Sequence, residues 1–129
     1  MGLTFDTGAL IGLERYRHHM RKVFDVAAAH DIRITVPAVV VAEWWRSGEK
    51  EKERAKLLHA VTVEPVTDLV ARLAGLALTL VPRAQTIDAI VMASASQRAG
   101  EVIYTSDPKH LEALRSGVPQ FASLRLERA

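Results

Sequence analysis

Apolar residues in this chain fall into short, nearly unbroken runs that alternate with longer stretches repeating at helical spacing. Residues 3–6 (LTFD) read as a buried strand, with Gly8 and Gly12 near the start of a following helix. From Arg21 to His30, Val23, Phe24, Ala27 and Ala28 recur at the period of a helix. Residues 32–36 (IRITV) form a second strand stopped by Pro37, which suits the first turn of a new helix, AVVVAEWWRSG, with Gly48 as its C-terminal cap. Next comes EKEKERAKLLHA, whose mixed charges and narrow apolar stripe predict an exposed helix, and then a short strand, VTVEPV. TDLVARLAGLALTLVP is helical between an N-cap at Thr67 and Pro82, and TIDAIVMASASQRAG is another helix, capped by Gly100. VIYTS is a strand, PKHLEALRS a helix and FASLRL a last strand. The alternation predicts an α/β fold with a mostly parallel sheet and right-handed crossovers, in one domain over residues 1–129.

Four acidic residues break this pattern, each interrupting or capping an apolar stretch: Asp6, Glu43, Asp88 and Asp107. Burying an unpaired charge costs more than one apolar contact returns, so four carboxylates set against a core are expected to meet around a cation. Asp6 and Asp107 end predicted strands and should face the crevice beyond the carboxyl edge of the sheet. Glu43 and Asp88 lie on helices that can reach the same edge. Hard divalent ions such as Mg²⁺ or Mn²⁺ suit an oxygen-only ligand set. The carboxylate oxygens are then expected within one coordination shell of a common point, at ligand distances of roughly 2.0 to 2.2 Å.

Local explanations compete with this one. Asp107 before Pro108 has the form of a helix N-cap, and Asp6 before TGALIGL could cap as well. Asp88, two residues after Thr86, could answer a helix dipole, and Glu43 could point outward from a helix packed on its other side.

Composition narrows the setting. An apolar share of 49% with 25% charged residues is that of an ordinary soluble globular protein. Cysteine is absent, so disulfides and thiolate metal sites are excluded. The N-terminus lacks a basic leader and no apolar run reaches membrane-spanning length, so a cytoplasmic protein without a membrane partner is expected. A net charge of +2 hides a basic cluster, Arg15, Arg17, Arg21 and Lys22, with His18 and His19 between them. Such a cluster either touches phosphate or forms a solvated helix face. His18 and His19 are adjacent and cannot share a helical face, and no histidine has metal-binding spacing. Trp44 and Trp45 are assigned to core and dimer packing rather than base stacking.

The residues resemble a family. FDTGALI, VVVAEWWR, TIDAIVMASA and YTSDPKHL match, in order and over nearly the whole chain, the strand-end Asp-Thr, the helical Ala-Glu, the Asp opening an apolar helix and the late Thr-x-Asp of PIN-domain nucleases. Within that family the chain resembles in particular the small VapC-type toxins of bacterial VapBC toxin–antitoxin modules, although GALIGLE and the WWR-S-G segment are closer to other PIN proteins than to the better-known toxins. Gly8, where many of these toxins have Ser or Asn, and Ser106, where many have Arg, depart from the common pattern and bear on substrate choice.

The resemblance implies a PIN-like three-layer α/β/α sandwich and a metal-dependent endoribonuclease, the toxin of a type II system. The alternatives are an RNA-processing nuclease without a toxin role and a catalytically silent binding module. Asp6, Glu43, Asp88 and Asp107 would hold one or two Mg²⁺ or Mn²⁺ ions, with Thr7 and Thr105 hydrogen-bonding the carboxylates. Arg46, Arg15 and Arg17 are candidates for phosphate or partner contact. The implied partners are RNA, a cognate VapB-like antitoxin that reaches the acids with an arginine, and a second copy in a homodimer. Leu10, Leu13, Tyr16, Met20 and Phe24 can form a stripe for association, with core packing taking part of it.

Other acid-bearing α/β pockets fit less well. A haloacid dehalogenase-type phosphohydrolase needs a second Asp two residues after the first, where this chain has Gly8. A receiver domain needs an acidic pair at the first strand and a late Lys-Pro, and Pro108-Lys109 runs in the reverse order.

Overall fold

Leu3, Thr4 and Phe5 are all buried in the first strand, β1 (Leu3–Phe5), although neighbours along a strand point to opposite faces. Both faces of the sheet are therefore covered, as they must be in a parallel α/β protein. The second strand, β2 (Ile34–Pro37), is buried at every position, and β4 (Val102–Thr105) at all but Tyr104. In this computed structural model, which describes residues 1–129, these three form the centre of the sheet. The edge strands β3 (Thr62–Glu64) and β5 (Arg125–Arg128) are more exposed. The order is β3-β2-β1-β4-β5 and every pairing is parallel, with Leu3 opposite both Ile34 and Val102. This is the parallel α/β architecture that the alternation of runs predicts.

Seven helices connect the strands: α1 (Thr7–Glu14), α2 (His18–Ala29), α3 (Ala38–Trp44), α4 (Glu51–His59), α5 (Asp68–Leu80), α6 (Thr86–Ala95) and α7 (Pro108–Gly117). Thr67 caps α5 as expected, its hydroxyl accepting from the Val70 N–H at 3.2 Å. The helix after β2 is shorter than expected, because the chain turns extended at Trp45 once Trp44 is buried. Gly48, at φ 132°, belongs instead to the turn before α4. α6 ends at Ala95, and Gly100, at φ 70°, turns the chain toward β4 rather than capping the helix. The last strand begins at Arg125, since Phe121 and Leu124 are taken into the core around a 3-10 turn, Pro119–Phe121.

The core contains Phe5, Leu10, Leu13, Met20, Ile103 and Phe121, all fully buried. That corrects one expectation: Leu10, Leu13 and Met20 close the inside of the fold and leave no surface stripe, while Tyr16 is 70% exposed and Phe24 half-buried. α1 is also tied to the α3–α4 corner through Glu14, whose carboxylate accepts from the Trp44 indole at 2.9 Å and from Arg54 at 3.0 Å. No helix is long and apolar enough to cross a membrane.

Chain order places a reversal between β1 and β4: from β1 the chain builds outward through β2 and β3, then returns to the other side of β1. In open parallel sheets the crevice beyond the carboxyl ends at such a point is the usual ligand site. Asp6 directly follows β1 and Asp107 stands two residues after β4, close enough to enter it.

Candidate active site

The crevice is a cavity of about 230 Å³ lined by Asp6, Thr7, Gly8, Glu43, Gln85, Ile87, Asp88, Val91, Thr105, Ser106, Asp107 and His110. All four acids that interrupt apolar runs are on its wall. Asp6 is held by the start of α1, where its carboxylate accepts from the Ala9 N–H at 3.0 Å, so the local capping explanation and the cavity position both hold for it. Asp107 occupies the N-cap position of α7 but its side chain caps nothing. Its carboxylate pairs instead with His110 Nδ1 at 3.2 Å, while its backbone N–H donates to Thr105 Oγ1 at 3.1 Å. Asp88 stands in the first turn of α6. Glu43 lies on an exposed position of α3, yet its carboxylate is bound by the Thr7 hydroxyl and faces the cavity.

Burial, and to a lesser degree the crowding of like charges, raises two of the carboxyls. Burial pushes the Asp6 carboxyl up to about 6; Thr105 and the Ala9 N–H oppose the rise, and the Asp88 charge adds to it. Asp88 is raised chiefly by burial, with His110 pulling it back and the charges of Glu43 and Asp107 pushing it further up. These are the four acids named from the sequence, now acting on one another through space. Even so, no three Asp, Glu or His side chains stand in a ready ligating arrangement. Two of the carboxylates have partners of their own at the wall, Glu43 in Thr7 and Asp107 in His110.

Residues 3–115 match the family model described as PIN domain. This chain belongs to the PIN domain family. PIN domains are in general nucleases and in general use divalent metals. Solved structures of similar shape include VapBC2 from Rickettsia felis bound to a DNA fragment from its promoter, at TM-score 0.76 and 16% identity, covering 100% of this chain and 99% of that one. A toxin–antitoxin complex from Klebsiella pneumoniae is similar at TM-score 0.63 and 19% identity, covering 93% and 94% of the two chains. FitAcB from Neisseria gonorrhoeae gives 0.71 and 15%, with 96% and 95% covered. At these identities the likeness is one of fold. Comparison with curated protein sequences finds no match.

The donor set of this PIN domain fits a hard divalent cation: four carboxylates, no sulfur, and two aspartates whose charged forms are disfavoured until something positive arrives. Thr7 and Thr105 are both at the wall, Thr7 on Glu43 and Thr105 beside Asp6 and Asp107. Arg15, Arg17 and Arg46 do not line the cavity. Arg46 turns back to its own helix end, donating to the Ala42 and Trp45 carbonyls, and Arg21 stacks over the Tyr16 ring at 4.2 Å. His110 is the residue that sequence reasoning missed. Metal-ligand spacing among histidines could not find it; its i,i+3 relation to Asp107 at a helix start could have. Gln85 also reaches the wall without a sequence signal that separates it from surface polar residues, and so does Ser106, marked in the sequence only by its departure from the toxin pattern.

Proposed function

We propose that the protein is a Mg²⁺- or Mn²⁺-dependent endoribonuclease, the toxin of a type II toxin–antitoxin pair, hydrolysing phosphodiester bonds in RNA. The observation that carries this reading is the meeting of Asp6, Glu43, Asp88 and Asp107, from four separated segments, at one cavity beyond the sheet's carboxyl edge. These four would hold the metal. A bound divalent ion supplies an activated water and offsets charge on the scissile phosphate. Thr7 fixes the Glu43 carboxylate, Thr105 organises the loop that presents Asp107, and His110 pairs with Asp107 and moderates the negative charge that Asp88 meets.

An antitoxin partner fits the same chemistry. A guanidinium pairs with carboxylates bidentately, so an arginine from a cognate VapB-like protein would enter the cavity and exclude the metal. The similar folds of chains solved as toxin–antitoxin complexes support that partner, and a homodimer is expected alongside it.

Purified protein incubated with a mixed RNA pool and Mg²⁺ or Mn²⁺ is the decisive experiment. Cleavage should need the metal and should fall at least about 100-fold in Asp88→Asn, since a ligand to the ion that stabilises the transition state is lost. An Asp88→Asn protein as active as the wild type would remove Asp88 from the site. A folded wild-type protein inert on RNA with either metal would leave a binding module. Soluble expression without growth arrest, despite cleavage in vitro, would favour an RNA-processing nuclease over a toxin.

A further inference from the structure

A second hollow of about 260 Å³ opens beside the acid cavity and shares Gln85, Asp88 and His110 with it. Two cations line it: Arg83, in the turn between α5 and α6, and Lys109, at the start of α7. Both are exposed. Other arginines are committed to carboxylates, Arg72 to Asp68, Arg98 to Glu101 and Arg115 to Glu112, whereas Arg83 and Lys109 form no ion pair and no hydrogen bond within the protein. The shared wall also contains residues from the starts of two ten-residue helices, α6 and α7, neither of which has a side-chain cap.

The two hollows differ in sign. Four carboxylates keep a net negative charge even against one divalent ion, and a polynucleotide brings further phosphates on either side of the one being cut. Those phosphates need cations of their own, held close to the acids but not paired with them. Arg15 and Arg17 line neither hollow. Resting on the ribonuclease reading above, we propose that Arg83 and Lys109 hold an RNA backbone phosphate adjacent to the scissile one, so that the substrate strand runs from the acid cavity across the shared wall of Gln85 and His110. Both are positioning residues, and they act without base readout.

Salt dependence tests this directly. Binding of a short mixed-sequence, fluorescently labelled RNA is measured by anisotropy across a salt series in an Asp88→Asn background, with Mg²⁺ present. For single-stranded RNA, each phosphate that a variant no longer neutralises should lower the slope of log K against log salt by about 0.7, equivalent to roughly fivefold weaker binding at about 0.1 M salt. Arg83→Ala and Lys109→Ala should each show part of that weakening and the double variant, which leaves the phosphate without a cation, the full fivefold loss, while Arg15→Ala/Arg17→Ala leaves slope and affinity unchanged. In the otherwise wild-type chain the same two changes should raise KM with little effect on kcat. An unchanged slope in the Arg83 and Lys109 variants, with the parent binding RNA and the wild type cleaving it, overturns the phosphate track and leaves the nuclease reading intact. An equal weakening from the Arg15/Arg17 change also overturns it, since general charge would then explain the effect. If the wild type neither binds nor cleaves RNA, both readings fall together.

Discussion

Asp6 both caps α1 and adds charge to the cavity, and the two roles separate when its carboxylate becomes an amide. Asparagine caps a helix as well as aspartate, so Asp6→Asn should keep the 3.0 Å bond from the Ala9 N–H while removing the charge. Because folding raises the carboxyl from 3.8 to about 6, the folded protein binds the proton more tightly than the unfolded chain. The stability this confers is complete at pH below about 4 and is lost as pH rises through about 6. In chelator, Asp6→Asn should therefore match the wild type near about pH 4 and exceed it by roughly 1–3 kcal/mol near about pH 7.5. Denaturant unfolding at the two pH values measures it, and an asparagine variant less stable at the higher pH would show that the carboxylate is not destabilised by its surroundings. Glu101 shows how differently an acid can be used. Only 2% exposed and away from the cavity, it accepts through one carboxylate oxygen from Thr4 at 2.5 Å and Arg98 at 2.9 Å, and its role is to tie β1 to the start of β4.

Between elements, the first turn of α1 presses on the loop that joins β4 to α7. A Cβ on Gly8 would stand 3.0 Å from the Ser106 backbone nitrogen and closer still to that serine's side chain. Gly8 and Ser106, the two positions that depart from the common toxin pattern, are thus packed against each other. Ser106 is further held by Arg128 of β5, which donates to its carbonyl at 3.3 Å. Adding a methyl group here should force the loop carrying Asp107 away from Asp6. Gly8→Ala is expected to cost about 1–3 kcal/mol as overpacking and to reduce cleavage, with Ser106→Gly in the same chain recovering part of both. A double-mutant cycle by urea denaturation checks it: strictly additive effects would mean that the two residues do not share the space.

At the scale of the whole molecule, the crevice concentrates unfavourable charge that the rest of the fold must hold in place. A divalent ion that binds only the folded chain should relieve it and stabilise the protein by mass action. At about 100 times the dissociation constant that is about 2.7 kcal/mol, or about 10 °C in Tm for a chain of this length. The rise with Mn²⁺ should shrink below about pH 6, where Asp6 takes up a proton and competes with the metal, and should be small in Asp88→Asn. Thermal melts with Mn²⁺ across that pH range measure this, and a metal-induced rise of equal size in Asp88→Asn would place the binding elsewhere.

The runs LTF, ITVP and VIYT were readable as strands because burial on both faces removes polar alternation, and the acids that end or interrupt such runs were conspicuous for the same reason. Local signals also placed Thr67 as a cap and the parallel α/β order, since these depend on neighbours along the chain. Other features depend on residues far apart in sequence. That Leu10, Leu13 and Met20 are core rather than a docking stripe follows from what packs over them, which periodicity cannot reveal. His110 enters the site because α7 starts at the crevice, and Gly8 meets Ser106 across nearly a hundred residues only because β1 and β4 are adjacent. The helix ends at Trp44 and Ala95 fell short of their glycines for a related reason: burial of Trp44 and the approach to β4 decided where each helix could stop, against the local capping preference. Sequence therefore determined which residues carry charge against the core, and tertiary structure decided which of them face one another, because a carboxylate's neighbours in space are set by strand order rather than by spacing.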